Sequence, residues 1–264
     1  MWGFERMIIC GVAGNIGEGS EDSFEKIRSF GIAQEIEFVR QVYMKVDEAM
    51  RLGKLCKGLR LSIHAPYYIN LASKEKRKIT ESKERILRSC EIGHLLGARD
   101  IVFHAGYYQG REKEQIYEMV RNEIDDMQKE IKKRRWKVKL CPETTGKESQ
   151  FGDLEEIFRL MRETGCGVCI DFAHLKARCQ GEMSYAEMLD KIKGKLGNKW
   201  IHSHYSGIEY GAKGEKRHLV SDIGDFKKLA KEILKRRMNF VIINESPDPL
   251  GDCLKMKKIV AGLS

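Results

Sequence analysis

The chain has 264 residues, 42% of them hydrophobic, which is enough for one large α/β domain or two small ones with a substantial core. A net charge of +9 favours an anionic partner such as nucleic acid or phosphate. No apolar run approaches the length of a membrane span, so we expect no membrane-embedded segment and no membrane partner.

The cysteines and the first residues both point to a reducing compartment. Eight cysteines in a chain of this length do not suggest a disulfide framework, because most of them fall inside strand or helix patterns. Cys166 and Cys169 form a CxxC pair without a second pair, so we expect them to pack in the core. With no leader-like pattern at the start, we expect a cytoplasmic protein, and we expect it to be a monomer.

Short apolar runs alternate with amphipathic stretches along the whole chain. The predicted strands are Met7–Ala13, Ala33–Val39, Arg60–Ala65, Ile101–His104, Val138–Glu143, Val168–Asp171, Trp200–His204 and Phe240–Glu245. The predicted helices are Ser23–Phe30, Asp47–Cys56, Lys74–Leu96, Arg111–Arg135, Asp153–Arg162, Tyr185–Leu196, Phe226–Arg237 and Asp252–Ala261. Eight strands that alternate with eight helices predict an α/β fold, a single (β/α)8 TIM barrel over residues 1–264.

Histidines and carboxylates stand where these strands end, and in such a barrel the chemistry lies at that face. They are His64, His104, Glu143, Asp171, His174, His202 and Glu245, with His218 in the loop after strand seven. Carboxylates gathered on one face repel each other unless a cation compensates them. Imidazole and carboxylate ligands together suit zinc, with manganese or iron as alternatives. A carboxylate that bridges two ions, flanked by separate histidines, suits a two-metal site for phosphodiester cleavage.

Several motifs resemble endonuclease IV, the metal-dependent abasic-site nuclease family within the xylose isomerase-like TIM barrels. They are SIHAPYYINLAS, HAG, ETTGKESQFGDLEEI, GVCIDFAH, the strand-seven histidine and NESP, between about residues 60 and 247. The resemblance implies an enzyme that cleaves DNA 5′ to abasic sites with metal-activated hydroxide. It implies one zinc held by His64, His104 and Glu143, and a second held by Glu143, Asp171, His202 and Glu245. Glu143 and Glu245 would be the catalytic carboxylates.

The same resemblance implies a third metal at His174 and His218, with one departure. The family has an Asp two residues before the last histidine, where this chain has Lys216. An ammonium cannot ligate a cation and repels it, so we expect the third ion to be weak or absent, unless the adjacent Glu215 substitutes.

The resemblance also implies contacts with DNA that contains abasic sites. Tyr67 and Tyr68 would wedge into the duplex, Arg40 would enter it from the second strand, and Gln150 would contact the backbone. His204 faces the same way as His202 and is expected to support the ligands from behind. The basic runs at 74–78, 132–135 and 235–237 are expected to be solvated helix faces.

Two other functions fit part of the pattern. A sugar isomerase or epimerase of the same superfamily would use a single metal at Glu143, Asp171, His202 and Glu245. That chemistry does not require His64, His104, His174 and His218. A catalytically inert, metal-stabilised DNA-binding protein would also suit the positive charge, but it leaves a two-metal ligand set unexplained.

Overall fold

The computed structural model describes residues 7–263, and its centre is a sheet of eight parallel strands. These strands are β1 (Ile8–Ala13), β2 (Ala33–Glu37), β3 (Leu61–His64), β4 (Asp100–Phe103), β5 (Lys139–Pro142), β6 (Cys169–Asp171), β7 (Trp200–Tyr205) and β10 (Asn239–Asn244). Their order in the sheet is β5-β4-β3-β2-β1-β10-β7-β6.

The two outer strands of this order, β5 and β6, meet and nearly close the sheet into a barrel. One parallel bridge joins Glu143 to Cys169. The Gly167 backbone nitrogen donates to the Leu140 carbonyl oxygen at 2.7 Å, and the Thr144 nitrogen donates to the Cys169 oxygen at 3.1 Å. The predicted (β/α)8 barrel is confirmed, and its weakest seam lies beside Glu143.

The helices pack around the outside of the sheet. They are α1 (Ser20–Phe30), α2 (Val46–Leu55), α3 (Lys76–Leu96), α4 (Lys113–Lys133), α5 (Leu154–Thr164), α6 (Phe172–Arg178), α7 (Tyr185–Leu196), α8 (Ile223–Lys235) and α9 (Pro249–Ala261). The sequence predicted all of them except α6, whose seven residues are too few to show a helical period. None of the helices within residues 7–263 combines the length and the apolarity that crossing a membrane requires.

A small hairpin, β8 (Gly207–Gly211) with β9 (Gly214–Leu219), lies between β7 and α8. The sequence suggested a loop there, because the segment is polar and rich in glycine. The hairpin pairs only with itself and not with the barrel sheet. It brings His218 back over the end of the barrel.

The inside of the barrel is built from alternate residues of each strand, since successive side chains of a strand point to opposite faces. Val102, Cys141 and Cys169 form one buried interior cluster. Two residues further along the same strands come His104, Glu143 and Asp171. The barrel interior therefore changes from apolar to polar between one inward-facing residue of a strand and the next.

We predict that Gly53→Ala lowers the free energy of unfolding by about 1–3 kcal/mol, through overpacking between α2 and α3. A Cβ at Gly53 would collide with the carbonyl oxygen of Leu95. Gly194 in α7 is the matched control, because nothing lies within 4 Å of a Cβ built there. Gly194→Ala should raise stability by up to about 1 kcal/mol through helix propensity. Urea unfolding measures both, and equal stabilisation by the two substitutions would contradict this packing.

Candidate metal centre

Three groups of possible ligands meet at the end of the barrel where the strands finish. Within each group the ligand atoms lie within 4.8 Å of one another. The groups are His64 with His104 and Glu143, Glu143 with Asp171, His204 and Glu245, and Asp171 with His174 and His218. Since Glu143 belongs to the first two groups and Asp171 to the last two, the three form one continuous centre.

Glu143 lies in the middle of this centre and is 1% exposed. Its Oε2 atom lies 2.9 Å from His104 Nε2 and 3.2 Å from His64 Nε2. Its Oε1 atom lies 3.1 Å from His174 Nδ1 and 3.2 Å from His204 Nδ1. Each oxygen of one carboxylate thus faces a different pair of imidazoles, which is the arrangement a bridging ligand needs.

Asp171 contributes one oxygen to the fold, while the other lies 3.2 Å from His174 Nδ1 without a hydrogen bond. Its Oδ1 atom accepts a hydrogen bond from the His174 backbone nitrogen at 2.8 Å and so caps α6. Its Oδ2 atom is buried and has no hydrogen-bond partner among the described residues. Burying a carboxylate oxygen without a partner is unfavourable, and a cation at this point would compensate it.

The second group contains His204, whereas the sequence placed His202 there. Both side chains point into the barrel from β7, but His202 lies two residues earlier and one layer deeper. Its Nε2 atom donates to Glu35 Oε2 at 2.7 Å, away from the rim. The physical reason is the sheet register: His204 pairs with Asp171 at the end of β6, whereas His202 pairs with Cys169, two residues earlier on that strand.

A β-bulge in the hairpin decides which residues complete the third group. Ile208 pairs with His218 and Tyr210 pairs with Glu215, so Lys216 is the extra residue. Because Ile208 and Tyr210 are two apart, their partners His218 and Glu215 share one face of the hairpin.

Glu215 therefore faces the centre, and Lys216 does not. Glu215 Oε2 lies 3.3 Å from His174 Nε2, while Lys216 Nζ lies 3.5 Å from Glu209 on the exposed side. Gly146 leaves the space for this, because a Cβ there would lie 2.7 Å from the Glu215 side chain. From the sequence we expected Lys216 to occupy the ligand position. The bulge turns Lys216 away from the centre, and Glu215 faces it instead.

Backbone carbonyls fix the protonation of two of the rim imidazoles. His64 Nδ1 donates to the Ala65 oxygen at 2.8 Å, and His174 Nδ1 donates to the Thr144 oxygen at 3.0 Å. In the neutral ring this leaves the lone pair on Nε2. A lone pair on His64 Nε2 facing the Glu143 carboxylate at 3.2 Å requires a proton or a cation between the two atoms.

Ionising all the carboxylates of the centre at once is unfavourable without a cation. Burial raises the pKa of Glu143, but His104 and His204 more than offset it and hold that pKa well below its usual range. Burial raises the pKa of Glu245 well above its usual range; His204 opposes this rise, while Glu143 and Asp171 add to it. Divalent cations would remove this conflict, and the imidazole and carboxylate donors fit zinc, manganese or iron.

The residues predicted to touch DNA lie on one side of the rim. Tyr67 and Tyr68 are 51% and 66% exposed, and the Tyr67 ring lies 5.6 Å from the His64 ring, centroid to centroid. Arg40 is also exposed. The Tyr67 backbone nitrogen donates to the Val39 oxygen at 3.1 Å, which holds the loop of Arg40 against the loop of the two tyrosines.

Gln150 differs from the other three because it is buried. It bridges to Tyr107 in the backbone and is 8% exposed, and its Oε1 atom lacks a hydrogen-bond partner among the described residues. It lines a cavity of about 490 Å³ above the centre, together with Glu37, His104 and His218. It is therefore placed to meet a ligand inside this cavity rather than at an outer surface.

The sequence reasoning missed two acidic residues inside the barrel, Glu35 and Glu37 on β2. Glu35 contacts both His202 and His204, and Glu37 lines the rim cavity. A signal was present, because carboxylates two residues apart in the otherwise buried run AQEIE must face the same side of the strand. The apolar neighbours made this run look like an ordinary buried strand.

The amino-acid sequence is similar to a known family model and to several known proteins. The model of the xylose isomerase-like TIM barrel family matches residues 24–259. An uncharacterised protein of Methanocaldococcus jannaschii is 38% identical over 258 residues, which cover 92% of this chain and 93% of that one. A probable endonuclease 4 of Mycobacterium leprae is 27% identical over 165 residues, which cover 61% of this chain and 62% of the relative.

Solved structures share the fold at lower identity. Endonuclease IV from Thermus thermophilus superimposes with a TM-score of 0.74 and 22% identity, covering 97% of this chain and 98% of the other. A D-tagatose 3-epimerase-like protein superimposes with a TM-score of 0.73 and 20% identity, covering 97% and 96%. The fold is thus common to a nuclease and to sugar epimerases. The family match, which extends over most of the chain, shows that this protein belongs to the xylose isomerase-like TIM barrel family.

Proposed function

We propose that the protein is a metal-dependent phosphodiesterase that cleaves DNA 5′ to abasic sites. The observation that carries this proposal is the set of three contiguous ligand groups joined by Glu143 and Asp171. Chemistry on a sugar carbonyl needs one such group, whereas in-line displacement at phosphorus uses adjacent ions that clamp both oxygens. The similarity to probable endonuclease 4 proteins supports the same conclusion.

Zinc ions held at the rim, or manganese or iron in their place, would polarise the phosphoryl oxygens and lower the pKa of water. The protein's own residues would set the geometry. Glu143 and Asp171, each shared between two groups, would fix the distance between neighbouring ions. Glu245, 14% exposed in its side chain and facing the cavity, is the carboxylate we assign to orienting the attacking water and taking its proton.

The remaining rim residues would select the substrate. Tyr67 and Tyr68 present exposed rings beside the centre, where an unstacked or missing base would leave room for them. Arg40 on the adjoining loop would neutralise a phosphate, in keeping with the net charge of +9. Gln150 would meet the nucleotide that enters the cavity.

A single-metal sugar epimerase is the second candidate, because the group of Glu143, Asp171, His204 and Glu245 is complete without the others. It predicts one metal per chain. It leaves His64, His104 and the hairpin residues Glu215 and His218 without a role at the rim.

We predict that Glu143→Gln reduces cleavage of an abasic-site duplex by about 10³-fold, roughly 4 kcal/mol, because two ligand groups lose their shared donor. Circular dichroism should show the same folded content as the unsubstituted protein. His94→Gln is the control, since this histidine lies in α3, away from the rim. Near-normal cleavage by Glu143→Gln at saturating metal would refute the assignment of the centre.

We predict that Glu215→Gln loses the ion at His174 and His218, with affinity reduced at least about 10–100-fold. Lys216→Met, its neighbour on the bulge, should leave that ion in place. Elemental analysis and anomalous scattering measure the occupancy. An unchanged third ion in Glu215→Gln, or its loss in Lys216→Met, would reverse our interpretation of the hairpin.

We predict that replacing Tyr67 and Tyr68 together by Ala weakens binding to an abasic-site duplex by about 1–3 kcal/mol per lost stacking contact. Binding to an intact duplex should weaken far less, because basic residues rather than the rings hold its backbone. Trp200→Ala removes an exposed aromatic ring at the start of β7, away from the rim, and serves as control. Fluorescence anisotropy at fixed salt separates the two duplexes, and equal losses on both would leave the tyrosines without a role in recognition.

A further inference from the structure

A second set of metal-binding side chains lies inside the barrel, one layer below the rim. It consists of Cys169 on β6 and His202 on β7, with His204 above them and Glu35 opposite on β2. The Cys169 sulfur and one ring nitrogen from each histidine lie within 4.8 Å of one another. Cys169 and His202 are direct partners in the sheet, so the backbone fixes their spacing. All four side chains are 5% exposed or less.

Two atoms of this interior set form a close ion pair without a hydrogen bond. Glu35 Oε1 and His204 Nε2 lie 2.8 Å apart, and neither atom has a hydrogen-bond partner among the described residues. A buried carboxylate oxygen and a ring nitrogen at this distance are compensated either by a proton between them or by a cation that both bind. The geometry therefore leaves a buried nitrogen available for a further ligand.

Glu35 also fixes the tautomer of His202. Its Oε2 atom accepts a hydrogen bond from His202 Nε2 at 2.7 Å. In the neutral ring this leaves the lone pair on Nδ1. Histidines that bind metals commonly donate their other ring nitrogen to a carboxylate in this manner, which fixes the tautomer and strengthens the ligand.

We propose that Cys169, His202 and His204 bind a transition-metal ion within the barrel, with Glu35 as the carboxylate that completes and neutralises the site. A thiolate with imidazoles selects zinc over calcium or magnesium. His204 lies between this site and the rim: its Nδ1 atom faces Glu143 and Glu245, and its Nε2 atom faces Glu35. The neutral ring has one lone pair, so ions on both nitrogens at once would require it to lose its remaining N–H proton and bridge them as imidazolate.

Two cavities at the opposite end of the barrel extend as far as His202. One has a volume of about 500 Å³ and the other about 340 Å³, and His202 and Asp100 line both. Neither cavity is lined by the rim residues Glu143, His174 or Glu245. His202 is thus bordered by cavities that are separate from the rim.

The position of Cys169 gives this ion a structural role. Its backbone forms the bridge to Glu143 that closes the barrel between β5 and β6. An ion bound by Cys169, by the two histidines of β7 and by Glu35 on β2 would fix the β6 side of this thinly paired seam. It would thereby position Glu143 at the rim.

The test replaces the metals of the full-length protein by Co²⁺ and records the sulfur-to-cobalt charge-transfer absorption. The rim groups contain only nitrogen and oxygen donors, so this band reports the interior site alone. We expect one equivalent of cobalt to produce the band, Cys169→Ser to abolish it, and Glu143→Gln to retain it. Cys141→Ser is the matched control, since Cys141 is buried in the same interior cluster and belongs to none of the ligand groups found among the described residues.

An anomalous map of crystals of the unsubstituted protein, measured at the zinc edge, removes any dependence on how the variants fold. An ion within bonding distance of the Cys169 sulfur supports the proposal. Rim ions without a thiolate band, a band that survives in Cys169→Ser, or a map with no ion beside Cys169 would overturn it. DNA cleavage enters none of these readouts, so the interior site and the proposed nuclease activity can fail separately.

Discussion

The structure depends on one buried carboxylate, Glu143, which lies among four imidazoles at the seam of the barrel. Charged groups are costly to bury unless partners compensate them, and here each oxygen of Glu143 faces two ring nitrogens within about 3.2 Å. The same residue pairs through its backbone with Cys169 and so takes part in closing the sheet. The backbone bridge that closes the barrel therefore also fixes the position of the two Glu143 carboxylate oxygens.

The barrel accommodates so many polar side chains because its strands separate them by layer. Alternation sends every second residue inward, and successive inward residues stand one above the other. On β6, Cys169 lies below Asp171, and on β7, His202 lies below His204. Apolar interior residues such as Val102 and Ile243 fill the remaining positions of the lower layer. Each polar group thus has a defined height, and the centre forms where the inward positions reach the open end.

The barrel fold could be predicted from the sequence because strand and helix patterns alternate without interruption. The polar rim could be predicted because histidines and carboxylates stand at the ends of most strands. The choice between His202 and His204 at the rim has a simple physical basis. In WIHSHY both histidines are inward-facing, and an apolar pattern does not determine which of them is last. The hairpin is a different case: a single bulge residue, Lys216, changes which side chain faces His174, and no linear motif encodes that change. α6 was missed because its seven residues show no helical period and follow β6 directly, with Asp171 both ending the strand and capping the helix.

An endonuclease IV and a D-tagatose 3-epimerase-like protein share this fold, so the fold alone does not decide between the two chemistries. Glu143, Asp171, His204 and Glu245 form a group that would serve either chemistry. In this chain the additions are His64 and His104 on one side and the hairpin with Glu215 and His218 on the other. Both additions extend the centre sideways through a shared carboxylate, Glu143 in the first case and Asp171 in the second. A centre that is extended at both ends, under exposed aromatic rings, supports the proposal of an elongated phosphodiester substrate over a compact sugar.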